Sequence, residues 1–175
     1  SLKKTMTNAI AKRLSKWDGR YIELAKQIST WSKDPSRKIG AVAVGSKGQI
    51  LSQGYNGFPR GVDEIKPERW EKPMKYRWIE HAERNCIYNA CRHGTALDGC
   101  IAVVTMFPCS DCARALIQAG VKTLVTVKPD MDDPRWGSEF AISLQMFQEV
   151  GMVMLYVESK YSLEHNHHIS GNMEV

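Results

Sequence analysis

Residues 100–127 read CIAVVTMFPCSDCARALIQAGVKTLVTV. Cys100 to Met106 is apolar and rich in β-branched side chains, the composition of a buried strand. Pro108 suits the first turn of a helix, where an N–H has no partner anyway. Ala113, Leu116 and Ile117 then keep helical spacing as far as Gly120, a glycine placed to end it. Thr123 to Val127 is a second strand. Strands that alternate with helices in this way argue for a largely parallel sheet covered on both faces.

The same alternation continues on either side. Downstream, Phe140 to Phe147 is an amphipathic helix and Met152 to Val157 a last strand, followed by a polar tail from Ser159. Upstream, Glu80 to His93 is helical and ends at Gly94, a candidate left-handed cap. Ile39 to Val44 and Gln49 to Gln53 flank the turn Gly45-Ser46-Lys47-Gly48 and form a hairpin. From Gly19 to Trp31, the residues Tyr21, Ile22, Leu24, Ala25, Ile28 and Trp31 recur at helical spacing and form a stripe for the core, until Asp34-Pro35 breaks the helix. Gly54 to Lys75 has glycines and prolines but no apolar period, which marks a functional loop. The expected order is α-β-β-α-β-α-β-α-β in one domain spanning 1–175. Its core covers about 19–158, with a peripheral N-terminal arm and C-terminal tail.

Composition narrows the function. Of 175 residues, 43% are apolar and 25% charged, which excludes a collagen-like, disordered or coiled-coil chain. Twenty-four Lys and Arg against nineteen Asp and Glu leave +5, a balance suited to phosphate-bearing ligands but short of a dedicated nucleic-acid binder. No apolar run approaches the roughly 18 residues of a membrane span, so no membrane partner is expected. Ser1-Leu2-Lys3-Lys4 lacks an apolar signal core, and the missing initiator Met suggests a cloning scar at Ser1. Five cysteines, an odd number, favour reduced thiols in the cytoplasm, with Cys86, Cys91 and Cys100 as small buried hydrophobes. His165, His167 and His168 read as part of a solvated tail rather than a metal tract.

Three ligand-type residues stand out. Cys109 and Cys112, at i and i+3 at a helix start, can present both sulfurs to one ion, and the helix N-terminus favours the thiolate form a metal needs. A Cys-x-x-Cys pair alone could equally be a redox pair or half of a structural zinc site. His81, at the start of the preceding helix, adds an imidazole and leaves a fourth position for water, the catalytic zinc pattern. Glu83, two residues on, is placed to move protons. A closed structural site, or Glu83 as a mere helix N-terminal acid, are the plainer readings of the same residues. Asn56 could be a simple turn residue beside its glycines. Arg84 and Arg92 read as solvated side chains or subunit contacts on a helix face.

His-x-Glu followed by Pro-Cys-x-x-Cys is the signature of zinc-dependent nucleobase deaminases. Together with Ser32-Lys33-Asp34-Pro35, Ile39-Gly40-Ala41-Val42 and the loop Gly54-Tyr55-Asn56-Gly57-Phe58-Pro59-Arg60-Gly61, the sequence resembles the deoxycytidylate (dCMP) deaminase family over roughly residues 20–155. The resemblance implies an α/β fold of three layers, α/β/α, around a five-stranded mixed sheet. It also implies conversion of dCMP to dUMP with release of ammonia. His81, Cys109 and Cys112 would hold one zinc ion and Glu83 would transfer protons. Asn56, Ala82, Pro108 and Trp136, with Arg37 and Lys38, form the expected substrate-binding set, and Arg60 and Arg135 are further candidates for the 5′-phosphate. Gly54, Tyr55, Gly57, Phe58, Arg60 and Arg92 form the expected effector site, for dCTP with Mg²⁺ as activator and dTTP as inhibitor. The family pattern favours a hexamer. The absence of a Cys/His-rich insertion before His81 argues against a second zinc. Position 84 is Arg where several members carry an apolar residue, a departure expected to leave the chemistry untouched. Rival readings are a deaminase of dCTP, of free cytidine or deoxycytidine, or of a base in tRNA or single strands, and, outside enzymes, a zinc-stapled binding module.

Overall fold

The computed structural model describes residues 14–157. A π-helical turn, Leu14–Asp18, leads into α1 (Gly19–Ser29), followed by β1 (Gly40–Val44) and β2 (Ile50–Tyr55). A 3₁₀ turn (Pro67–Trp70) and the short α2 (Lys75–Trp78) precede α3 (Ala82–His93), β3 (Ile101–Val104), α4 (Ser110–Gln118), β4 (Thr123–Val127), α5 (Gly137–Glu149) and β5 (Val153–Val157).

The five strands form one sheet in the order β2-β1-β3-β4-β5. β1 runs antiparallel to both β2 and β3, whereas β3, β4 and β5 are mutually parallel. The sheet is therefore mixed, and the parallel part is confined to the βαβ units of the second half. The hairpin supplies the antiparallel edge.

Side-chain alternation divides the core into two. Val42, Val44, Val103 and Val125 face Ile22, Ala25 and Ile28 of α1. Ala41, Ala43, Ala102, Val104 and Leu124 point the other way, onto Cys86 and Ala90 of α3, Leu116 of α4, and Phe140 and Phe147 of α5. Among the described residues α1 thus covers one face and α3, α4 and α5 the other, the three-layer arrangement.

Glycine at position 54 is what lets β2 lie close to α3. A Cβ there would sit 2.4 Å from the Cys86 nitrogen and 2.5 Å from the Ala82 oxygen. α3 ends as the sequence indicates: Gly94 adopts φ 67° and its N–H bonds back to Ala90 and Cys91 carbonyls.

Some expectations need correction. α1 stops at Ser29, so Trp31 does not join the core stripe; it is 49% exposed and stands edge-on to Tyr55. Leu24 is also exposed. Cys91 is exposed rather than buried, because it lies on the outer side of α3 from Cys86 and Ala90. The 54–75 stretch is not a bare loop. It contains the end of β2 and a 3₁₀ turn, and Phe58 stacks on Trp70 at 4.3 Å. The N-terminal arm 1–13 and the histidine-bearing tail lie outside the described residues.

Candidate functional site

Two helices begin side by side at one end of the sheet. His81 is the N-cap of α3, Cys109 the N-cap of α4, and Cys112 lies in the first turn of α4. The His81 Nδ1 atom lies 3.4 Å from Cys109 Sγ and 3.4 Å from Cys112 Sγ. One donor atom from each lies within 4.8 Å of the others, so the three could hold a single ion. Zinc–sulfur bonds of about 2.3 Å and zinc–nitrogen bonds of about 2.0 Å in a tetrahedron place ligand atoms about 3.5 Å apart. An imidazole with two thiols at these separations therefore fits zinc in both chemistry and size.

Electrostatics agree with that fit. Hydrogen bonds from Cys112 and from His81 hold the Cys109 thiol down to about 4, against the opposing effect of burial, so Cys109 is a thiolate at neutral pH. Cys112, which shares its proton with Cys109 and is buried, is pushed upward. Burial works against the His81 charge, yet the bond to Cys109 and the charges of Glu83 and Cys109 outweigh it and raise its pKa. Glu83 is 4% exposed and lines the adjoining cleft, and desolvation raises its pKa. A buried carboxyl with a raised pKa next to a metal donor set is a candidate proton carrier.

The cleft encloses about 110 Å³ between the helix starts and the segments 34–39, 72–79 and 135–140. Its walls are held by two polar knots. In the first, the Lys75 ammonium lies 3.1 Å from both carboxylate oxygens of Asp34, and both side chains are buried. The Asp34 carboxylate also accepts from the Ser36 N–H at 2.8 Å. Asn56 joins this knot, accepting from the Ile39 N–H and donating to the Arg37 carbonyl, each at 2.8 Å. In the second, Asp133 accepts from Arg37 Nη2 at 2.7 Å and from the Arg135 and Trp136 N–H groups at 2.9 Å. The Arg37 guanidinium holds the Asp133 carboxyl down to about 2. Trp136 is thereby set edge-on to the His81 ring, centroids 5.7 Å apart. The Arg135 guanidinium lies 4.0 Å from the Tyr76 ring centre.

His81, Glu83, Cys109, Asn56, Arg37 and Trp136 all line the cleft, as does Arg135. Ala82 and Pro108 do not: both are wholly buried beneath the helix starts. Lys38 lines a neighbouring groove, which shares Arg37 with the cleft. The six residues assigned to an effector lie outside the cleft. Gly54 is buried under α3, Tyr55 is exposed, Gly57 bridges to Glu80, and Phe58 is stacked on Trp70. Arg60 donates to Asn89 at 2.6 Å, and Arg92 is exposed in the last turn of α3. Sequence reasoning missed Asp34, Lys72, Lys75 and Tyr76 as cleft residues. Asp34 reads as a helix breaker and as part of the Ser32-Lys33-Asp34-Pro35 segment, neither of which turns its side chain toward a site. The other three come from a stretch without apolar period, and the nearby Pro73 gives no hint of which side chains turn inward.

Comparison with known proteins agrees with the fold and the donor set. Residues 15–128 match the family described as the cytidine and deoxycytidylate deaminase zinc-binding region. The chain is 37% identical over 145 residues to an uncharacterized deaminase in the luxG 3′ region of Aliivibrio fischeri, covering 82% of this chain and 95% of that one. It is 35% identical over 124 residues to the deoxycytidylate deaminase of Homo sapiens, covering 67% of each. In three dimensions it resembles the apo dCMP deaminase of the cyanophage S-TIM5, with a TM-score of 0.63, 26% identity, and coverage of 79% of this chain and 94% of that one.

Proposed function

This chain belongs to the cytidine and deoxycytidylate deaminase family, and on that premise we propose that it hydrolyses dCMP to dUMP and ammonia. The observation that carries this reading is the position of Glu83, buried in the wall of the cleft beside the His81, Cys109 and Cys112 donors.

His81, Cys109 and Cys112 are the residues that would hold zinc, which when bound supplies the Lewis acidity that makes water a nucleophile near neutral pH. Glu83 accepts a proton from the attacking water and delivers it to N3 of cytosine, which makes C4 electrophilic. Glu83 then takes the second proton from the hydroxyl now on C4 and passes it to the amino group, so that the C4–N4 bond breaks, ammonia leaves and the C4 carbonyl forms. One buried carboxylate thus serves as base and then as acid, and its raised pKa suits both.

The remaining cleft residues shape and charge the pocket. The Trp136 edge and Phe107 bound the space for a flat ring. Asn56 commits its N–H groups to the cleft wall and keeps a carbonyl lone pair for the nucleoside. Arg37, Arg135 and Lys72 offer cations for a 5′-phosphate at the rim, and the Arg135 fork is held in place by its stack on Tyr76. Buried Ala82 and Pro108 act through the backbone that carries His81 and Cys109.

We extend the reading to a single deaminase domain in the cytoplasm, working as a homo-oligomer with a hexamer as the favoured form. Its activator would be dCTP with Mg²⁺ and its inhibitor dTTP, acting through the face that carries Gly54, Tyr55, Gly57, Phe58, Arg60 and Arg92. Supporting this assignment is the exposure of Tyr55, Arg60 and Arg92, none of which lines the cleft. Among the described residues, no helix is long and apolar enough to cross a membrane. The test is ammonia release from dCMP, dCTP, deoxycytidine and short single strands, with and without dCTP or dTTP as effector. Turnover of dCMP well above the others is expected, and turnover of oligonucleotides alone would overturn the assignment.

A further inference from the structure

Arg84 is not a solvated helix residue. Its side chain is 18% exposed, and its guanidinium is divided among partners on both ligand-bearing helices. Nε donates to Glu80 Oε1, the same oxygen that accepts from the His81 N–H at 3.0 Å. Nη1 lies 3.5 Å from Cys112 Sγ, within hydrogen-bond reach of sulfur, and 3.9 Å from Asp111 Oδ2. One side chain therefore connects the backbone of His81 at the start of α3 to the sulfur of Cys112 at the start of α4.

From this geometry we propose that Arg84 is a positioning residue of the metal centre, hydrogen-bonding the Cys112 sulfur and strapping the two helix starts that carry the ligands. The inference rests on the reading of His81, Cys109 and Cys112 as metal ligands. Its physical basis is charge and shape. Two thiolates and the Glu83 carboxylate bring three negative charges to one buried spot, and a divalent ion balances only two of them. The guanidinium adds a permanent positive charge there, shared with the Glu80 carboxylate, because it cannot be deprotonated in a protein. Its planar fork satisfies a carboxylate and a sulfur at once, which a lysine ammonium on a flexible stem does not reproduce. A hydrogen bond to a ligand sulfur also fixes its position and lowers the energy of its lone pairs, which raises the energy of sulfur-to-metal charge transfer. Partners behind the ligands typically change metal affinity by about 10–100-fold when removed.

The test uses the purified full chain stripped of metal and titrated with zinc alone, then with cobalt alone. Zinc affinity is measured by competition with a chromogenic chelator, and the cobalt form reports the energy of its sulfur-to-metal charge-transfer band. For Arg84→Met, zinc affinity is expected to fall by about 10–100-fold, and the charge-transfer band to move to lower energy because the sulfur has lost its hydrogen bond. Arg84→Lys, which keeps the charge without the fork, is expected to fall between Arg84→Met and the parent and carries the test if the Met variant does not fold. A zinc affinity within twofold of the parent and an unshifted cobalt band would overturn the inference. His81→Ala separates the two levels of argument: if it binds zinc as the parent does, the ligand reading fails and the Arg84 inference falls with it. If it loses zinc while the Arg84 variants match the parent, only the inference falls.

Discussion

Arg37 reaches across 96 residues of sequence to donate a 2.7 Å hydrogen bond to the Asp133 carboxylate. The bond joins the segment after α1 to the turn before α5 and so closes one side of the cleft. It has a pH signature. The folded pKa of Asp133 is depressed to about 2 by this bond and by the Trp136 N–H, whereas an unfolded aspartate titrates near 3.9. The contribution of the pair is therefore present above about pH 4 and is lost as pH falls toward 2. Carbon-13 titration of the Asp133 carboxyl should give a midpoint near 2, moving up in Arg37→Met. A wild-type midpoint near 4 would mean that the pair does not form in solution.

Lys75 and Asp34 are each almost fully buried, at 4% and 2% exposure, and hold each other. Removing one partner leaves an uncompensated buried charge, a change that typically costs about 3–5 kcal/mol. Lys75→Met should lower unfolding stability in urea by that order, and Asp34→Asn added to it should restore part of the loss. A Lys75→Met variant as stable as the parent would remove this pair from the scaffold of the cleft.

Cysteine chemistry should sort by position. Burial pushes Cys86 up to about 12 and Cys100 up to about 11, so both remain protonated and shielded at pH 8. Cys91 is exposed and should be alkylated first by iodoacetamide in the native protein. Chelation should then expose the Cys109 thiolate, while zinc should protect Cys109 and Cys112. Peptide mass spectrometry reads this order, and early labelling of Cys86 would contradict it.

A side chain at position 54 would meet the backbone of α3, with Cys86 N and Ala82 O within about 2.5 Å of its Cβ. Overpacking of this kind costs about 1–3 kcal/mol. Gly54→Ala should lower the melting temperature and, because α3 carries His81 and Glu83, also weaken turnover. Unchanged stability with a lost dCTP response would instead make Gly54 an effector residue and nothing more.

How much of this was legible in the residues follows from how local each signal is. The helix cap at Gly94 and the βαβ unit around Cys109 depend on neighbouring residues, and the structure reproduces them within a few positions. The His81, Glu83 and Cys109-x-x-Cys112 set carries fixed spacing within each helix, and its convergence needed β2 and β3 to run the same way, each antiparallel to β1, so that the helices after them start at one edge. The cleft walls were harder to read. Arg37 and Asp133, or Asp34 and Lys75, meet through long-range packing that no spacing encodes. Arg84 shows the same limit. Its place on the helix was legible, but its contact with Cys112 depends on where α4 begins in space.

The most direct measurement compares ammonia release from dCMP by the parent and by Glu83→Ala at equal zinc content per chain. The expected result is one zinc in each protein and a fall in turnover of at least about 10²–10⁴-fold in the variant. Turnover by Glu83→Ala equal to that of the parent, with zinc retained, would show that this buried carboxylate does not move the protons.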